Sequence, residues 1–293
     1  MRLSTTTDVL ADKFDLNKAI DIISASGYDA ADFSNFKQEY HTDAHNEEFY
    51  TELRKYAEDK GIVFNQSHAP FPSTVTDELK NEEIFAHITT AMKHASLLGI
   101  KTIIVHPCQH IQHADDNNAE ILFEYNMNFY KKLIPYCEEY DIRVALENMW
   151  QIQNYNGGWR KIIPSTCARP AEFIRYLDEL NNDCFVACLD IGHATLVCEN
   201  VPDFIKALGN KRLQALHVHD VDGVVDSHTL PFFGVTEWDK VMKALADIDY
   251  KGDLTFEADS FFKGKPLEIY PDCAMFMAKT GRYLVNKFNE YKK

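Results

Sequence analysis

Sixteen consecutive residues, Leu213 to His228 (LQALHVHDVDGVVDSH), hold three histidines and three aspartates. Imidazoles and carboxylates at this density are donors for a divalent cation, and paired carboxylates are groups that move protons to and from carbon. The same residue types recur singly, each where a short apolar run ends: His68 in SHAP, His106 in VHP, Glu147 in LEN, Asp190 and His193 in LDIGH, and Glu257 in FEAD. A carboxylate at such a place is ordinarily solvated or ion-paired. Glu147 and Glu257, however, directly follow apolar strand residues, where an unpaired charge is costly and a divalent cation would offset the cost. His217 and His219 lie two apart and point the same way if both belong to a strand, so either can serve as the ligand. His87 and His94 read as ordinary helix residues, His110 and His113 as loop residues beside a cleft, and His41 and His45 as solvated loop residues.

These donors act together only if the fold gathers them. Eight β-rich runs alternate with helix-length segments: RLSTTT from Arg2, YDAADFS from Tyr28, IVFNQSH from Ile62, KTIIVHP from Lys101, IRVALEN from Ile142, CFVACLDIGH from Cys184, LQALHVHD from Leu213 and DLTFEAD from Asp253. Between them apolar residues recur at three- and four-residue spacing, as in LNKAIDIISASG, where Leu16, Ala19, Ile20 and Ile23 share a face and Gly27 ends the helix. Nearly continuous apolar strands fit a parallel sheet buried on both faces. The pattern predicts an α/β chain folded as a single (β/α)8 TIM barrel over residues 1–293, with a doubly wound open sheet as the competitor. No GxGxxG follows the first strand, which counts against a dinucleotide-binding sheet. The short helix after Val201 is the least certain unit in the count. In a barrel, the C-terminal strand ends converge on one face, where active sites of this fold are built.

The charge balance narrows the partners. With 45 acidic and 30 basic residues the chain carries a formal charge of −15, which repels polyanions and disfavours nucleic acid. No apolar run reaches the length of a membrane span, and the first residues, MRLSTTTDVLADKF, lack a secretory pattern. Seven cysteines without a CxxC pair read as reduced thiols of a cytoplasmic protein. A small neutral substrate or a divalent cation suits this surface better than a nucleic acid or a membrane.

The strand-end motifs SHAP, VHP, LEN, LDIGHA, HVHD, DSHTLPFFG and FEAD together resemble the xylose isomerase-like TIM-barrel superfamily over essentially the whole chain. That superfamily includes ketose 3-epimerases, inosose dehydratase-type enzymes, sugar phosphate isomerase/epimerase-like proteins and, more distantly, the endonuclease IV family. The resemblance implies that Glu147, Asp190, His217 and Glu257 hold one divalent ion. This oxygen-rich set favours Mn2+, with Mg2+, Co2+ or Zn2+ as alternatives. It further implies that His193 contacts substrate, that His68, His106 and His228 line the cleft with Trp150, and that Asp226 is a candidate additional metal ligand. A homo-oligomer is also implied.

The expected activity is isomerisation or epimerisation of a sugar or polyol, by proton abstraction next to a carbonyl through a metal-stabilised enediolate, with Glu147 and Glu257 as base and acid. Trp150, Trp159, Phe232 and Phe233 are candidates for apolar walls against a sugar face. Three alternatives stay open. One is a dehydratase or lyase acting on a related polyol. Another is a zinc-dependent AP endonuclease, whose three-ion donor set has a counterpart here at His68, His106, Glu147, Asp190, His193, His217, Asp226, His228 and Glu257. The third is a barrel that binds sugar without chemistry. The chain also departs from the ketose 3-epimerases: Gln153 lies in the segment where they carry a substrate-binding glutamate, and DVDGVVD lacks their arginine after the strand-seven histidine.

Overall fold

The computed structural model describes residues 1–115, 117–154 and 160–293. All eight expected strands form. β1 (Leu3–Thr6), β2 (Ala30–Ser34), β3 (Val63–His68), β4 (Thr102–Ile104) and β5 (Arg143–Glu147) come first. An antiparallel hairpin, β6 (Trp150–Asn154) with β7 (Arg160–Pro164), then interrupts the series before β8 (Phe185–Asp190), β9 (Leu213–His217) and β10 (Leu254–Phe256). The eight-stranded sheet runs β10-β1-β2-β3-β4-β5-β8-β9, with every pair parallel. The ring closes at a single bridge between Val218 and Phe256, where the Val218 N–H donates to Thr255 at 2.9 Å and the Glu257 N–H donates to Val218 at 3.2 Å. This is a TIM barrel.

The helices α1 (Asp8–Lys13), α2 (Leu16–Ser26), α3 (Glu47–Asp59), α4 (Glu78–Leu97), α5 (Asn118–Lys131) and α6 (Ile134–Tyr140) connect the first five strands of the barrel. After them come α7 (Pro170–Leu180), α8 (Ile191–Leu196), α9 (Val201–Arg212), α10 (Trp238–Asp247) and α11 (Tyr270–Tyr291). Their ends follow the chain's chemistry. Asp15 caps α2 by accepting the Lys18 N–H at 2.7 Å, and Gly27 stops it at φ +93°, a conformation that disfavours any side chain. The doubtful helix after Val201 forms, capped by Asn200 and kinked at Gly209. Outward-facing strand residues such as Leu3 and Phe33 pack against Ile20, Ile23 and Tyr50 of the helix layer in one continuous core.

The barrel's interior has two kinds of filling. Ile104, Ala145, Val186, Cys188 and Ala215, from β4, β5, β8 and β9, form a dry cluster separate from the outer core. Facing it, side chains from β1, β2, β3 and β10 hydrogen-bond in a chain. Ser4 donates to Asn65 at 2.8 Å, Asn65 to Thr255 at 3.1 Å, Thr255 to Gln66 at 3.3 Å and Gln66 to Asp32 at 2.9 Å.

Two expectations need correction. The sixth β-run was expected to stay extended through His193, but β8 stops at Asp190. The Asp190 carboxylate accepts the His193 N–H at 2.6 Å and starts α8, so His193 projects from a helix. The hairpin β6–β7 is absent from the eight expected strands. Its short polar-apolar alternation, WQIQN and RKIIP, was the available signal.

Candidate metal centre

The period-two geometry of the strands fixes the site. Ala145 lies two before Glu147, Cys188 two before Asp190 and Ala215 two before His217, so each donor stands directly above a member of the dry cluster. Together with Glu257, just beyond β10, these side chains bring their donor atoms within 4.8 Å of one another. His217 Nδ1 lies 3.3 Å from Glu147 Oε1 and 3.2 Å from Glu257 Oε2. Glu147, Asp190 and His217 are buried, and Glu257 retains slight exposure. The other oxygen of Glu147 turns the opposite way, 3.2 Å from His106 Nε2 and 3.7 Å from His68 Nε2.

A second donor group adjoins the first. His193, His219, Asp226 and His228 also place one donor atom each within 4.8 Å of one another. Asp226 Oδ2 lies 3.3 Å from His193 Nε2 and 3.1 Å from His228 Nε2, and it accepts the Trp150 indole N–H at 3.1 Å. His219 stacks on His228 with ring centroids 4.0 Å apart and reaches Asp190 Oδ2 at 3.0 Å, linking the two groups. Gly192 makes room for it: a β-carbon there would sit 2.0 Å from the His219 ring. The loop carrying Asp226 and His228 is pinned by buried Asp220, which accepts the N–H groups of Val221, Phe232 and Thr236 and the Trp238 indole.

Three of these histidines are oriented by backbone carbonyls. His68 Nδ1 is 2.7 Å from Ala69 O, His193 Nδ1 is 2.9 Å from Asn148 O, and His228 Nδ1 is 2.9 Å from Glu257 O. A proton on each Nδ1 leaves the corresponding Nε2 facing the donor groups.

Electrostatics follow from putting so many donors in a dry place. Burial opposes charge on His217, yet Cys188, Glu257 and Glu147 together hold its imidazole well above the usual range. Burial likewise opposes the charged forms of His193 and His228, but Asp190 and Asp226 lift the first to about 10, and Asp226 with Asp259 lifts the second to about 12. Glu147, Asp190 and Asp226 are each depressed by neighbouring imidazoles in spite of their burial. His106 goes the other way, because burial outweighs Glu147 and keeps its ring neutral. Protons are thus the positive charge that makes this packing tolerable. Glu147 Oε2, both ring nitrogens of His217 and Asp226 Oδ1 are nevertheless buried without a hydrogen bond. Orphaned donors aimed at shared points fit a divalent cation, which would replace those protons.

The remaining candidates divide. Trp150 is tied to the second donor group and approaches the His193 ring edge-on at 6.3 Å. Phe232 and Phe233, expected as walls of the cleft, instead pack against Tyr283, Phe261 and Phe276 on the outer surface beside α11. Trp159 lies outside the described residues. An apolar wall not anticipated from sequence comes from Phe36, 4.9 Å from the His68 ring, and half-exposed Phe71, stacked on His106 at 5.2 Å. His41 is buried rather than solvated, its Nδ1 2.7 Å from Asn35 O, and His94 is buried with its ring stacked on Tyr50. His113 pairs with Glu172, and His110 with Thr74. A surface cleft of about 570 Å3 beside α2 and α3 includes none of the donor residues.

A family model described as a xylose isomerase-like TIM barrel matches residues 20–279. The chain belongs to that family. Among curated relatives, the uncharacterized protein y4fM of Sinorhizobium fredii is 27% identical over 168 residues, 56% of this chain and 49% of that protein, so the match spans about half of that relative. D-psicose 3-epimerase of Enterocloster bolteae is 25% identical over 256 residues, 83% of this chain and 76% of that one. Among solved structures, a D-tagatose 3-epimerase-like protein superposes with a TM-score of 0.77 at 20% identity, covering 99% of both chains. The IOLI protein, crystallised with a zinc atom, gives a TM-score of 0.74 at 18% identity, also covering 99% of both. These superpositions establish the shared fold.

Proposed function

We propose that the chain is a divalent-metal-dependent isomerase or epimerase of a sugar or polyol, moving a proton at a carbon next to a carbonyl. The observation that carries this reading is the placement of Glu147 and Glu257. Carboxylates from two strands far apart in sequence both lie about one hydrogen-bond length from the same ring nitrogen, His217 Nδ1. Glu147, Asp190, His217 and Glu257 would hold the ion, and Mn2+ suits their three carboxylates and one imidazole, with Mg2+, Co2+ or Zn2+ as alternatives. The bound ion would polarise a carbonyl and its neighbouring hydroxyl, so that the intervening C–H becomes acidic. Likeness to sugar 3-epimerases in fold and in part of the sequence supports the substrate class.

The chain's residues divide the remaining work. Glu147 Oε2, turned away from His217, is free to take the proton from carbon. His106 Nε2, 3.2 Å off in a ring kept neutral by burial, donates its N–H toward that oxygen and His68 Nε2 and so orients the base. Glu257 faces the mouth and delivers a proton from the other side. His68, His193, His228 and Trp150 line the approach and orient substrate hydroxyls, while Phe36 and Phe71 exclude water along one edge. The acidic surface suits an uncharged substrate.

The reading is tested by incubating the Mn2+-loaded protein with ketoses and keto-polyols in D2O. Deuterium should enter next to the carbonyl of at least one. Glu257→Gln should cut that exchange by about 10³-fold without altering the circular dichroism spectrum. Near-wild-type exchange in the variant would remove Glu257 from the acid/base pair.

A second reading has its own support. The group at His193, His219, Asp226 and His228 offers donors for another ion, as phosphodiester hydrolysis by metal-activated water would need. Cleavage of a duplex bearing an abasic site, at physiological salt and with zinc present, would favour it over sugar chemistry.

A further inference from the structure

His217 is held differently from its neighbours. His68, His193 and His228 each have Nδ1 against a backbone carbonyl and Nε2 toward a donor group. His217 is reversed: Nδ1 faces Glu147 and Glu257, and no hydrogen bond reaches Nε2. What lies behind Nε2 is Asp32, a fully buried carboxylate on β2, with Oδ2 3.7 Å away. Asp32 Oδ1 is itself buried without a hydrogen bond.

Neither residue explains itself alone. A carboxylate in the barrel's interior, bonded only to a neutral amide, lacks a positive partner. That amide is fixed: Gln66 accepts from the Thr255 hydroxyl and donates to Asp32 and to the Leu216 carbonyl, so its NH2 end must face Asp32. Gln66 thereby anchors the carboxylate through Oδ2, the same oxygen that faces His217 Nε2. On the other side, the His217 ring stacks over His68 at 5.5 Å, which holds its plane.

We infer that Asp32 is a positioning residue that keeps a proton on His217 Nε2, so that Nδ1 presents its lone pair to a divalent ion among Glu147, Asp190 and Glu257. This inference rests on the metal-centre reading above. An imidazole offers a lone pair on one nitrogen only when the other carries the proton, and an acceptor behind the ring selects which. Here a carboxylate does the selecting that carbonyls do elsewhere in the cluster.

Asp32→Leu is the informative change because it keeps the approximate volume and removes the acceptor that faces Nε2. With no acceptor behind the ring, nothing selects Nε2 for the proton, and the tautomer protonated on Nδ1, which blocks the ligand position, becomes populated. Cobalt uptake, followed by its visible absorption against a competing chelator, should weaken by about 10- to 100-fold in the variant while the far-ultraviolet spectrum stays unchanged. Affinity within about twofold of wild type overturns the inference. A measurement on the unmodified chain guards against a variant that fails to fold. In the zinc-loaded protein, 15N spectra should show His217 metallated at Nδ1 with a slowly exchanging proton on Nε2, and metallation at Nε2 overturns the assignment. A wild-type chain that takes up neither cobalt nor zinc would refute the metal-centre reading itself.

Discussion

One side of the barrel's interior is dry and the other is wired. Beneath Glu147, Asp190 and His217 sit Ala145, Cys188 and Ala215, small and apolar, joined by Ile104 and Val186. Beneath Glu257 and His68 run Thr255, Gln66, Asn65, Ser4 and Asp32, linked by hydrogen bonds. The dry side offers its donors no polar partner from below, so Asp190 and Glu147 turn to groups above it, the His193 N–H and the rings of His219 and His106. The wired side constrains them by direction, because each hydrogen bond specifies an angle and a protonation state. A centre that needs both a fixed position and a chosen tautomer draws on each.

This contrast can be broken in order of effect. Ile104→Ala should destabilise the fold by about 2–5 kcal/mol, as a cavity in a packed core does, while a stable remnant keeps cobalt affinity close to wild type. Urea unfolding and chelator competition on one preparation would separate the two quantities. Gln66→Leu should show the opposite profile, with cobalt affinity weakened about tenfold, through the loss of the amide that fixes Asp32, and a smaller loss of stability. If both variants lose stability and affinity in the same proportion, the two sides are one structural unit and the contrast fails.

Uptake should also carry a proton signature. His193 and His228 are raised to about 10 and about 12 by their carboxylate partners, and His217 is raised as well. At neutral pH these rings hold protons; an ion held by Glu147, Asp190, His217 and Glu257 displaces the one on His217, and one in the second donor group would displace those on His193 and His228. Affinity should therefore rise with pH from 6 to 8, and calorimetry in buffers of different ionisation enthalpy should register proton release. Uptake independent of pH would mean that His217 is not a ligand.

The smallest expected effect lies at the rim. Burial, then Asp259, Asp12 and Glu257, push the Asp8 carboxyl up from 3.8 to about 6. The folded chain thus keeps a proton that the unfolded chain has released, and stability falls as pH rises through the window from about 4 to 6. Asp8→Asn removes that penalty. It should be more stable than wild type at pH 7 by about 1 kcal/mol, discounted for partial exposure, and equal to it below pH 4. Thermal melts at the two pH values decide it.

The strands and their terminal donors were legible because period-two apolar runs and strand-end polar residues are local signals. Glu147, Asp190 and Glu257 could be named as candidate donors from LEN, LDIGH and FEAD, once a barrel was inferred to bring their ends together, whereas the choice of His217 over His219 in HVHD rested on the family resemblance. His193 was placed on the wrong element, since the switch from strand to helix depends on the Asp190 side chain capping its own continuation. Asp32 and Gln66 carried no signal, because an Asp in YDAADFS looks like any polar residue until the partner strand lies beside it. Phe36 and Phe71 carry no sequence signal that ties them to the donors, and Phe232 and Phe233, expected as apolar walls against a sugar face, pack over α11 instead.

The barrel's ring is hydrogen-bonded most sparsely between β9 and β10, where a single bridge at Val218 joins them. His217 immediately precedes that bridge on one strand, and Glu257 immediately follows Phe256 on the other. A cation shared by these two side chains would act as a rivet across the last gap in the cylinder. The seventh and eighth βα units, neighbours along the chain whose strands share so few hydrogen bonds, would then be latched by one ion.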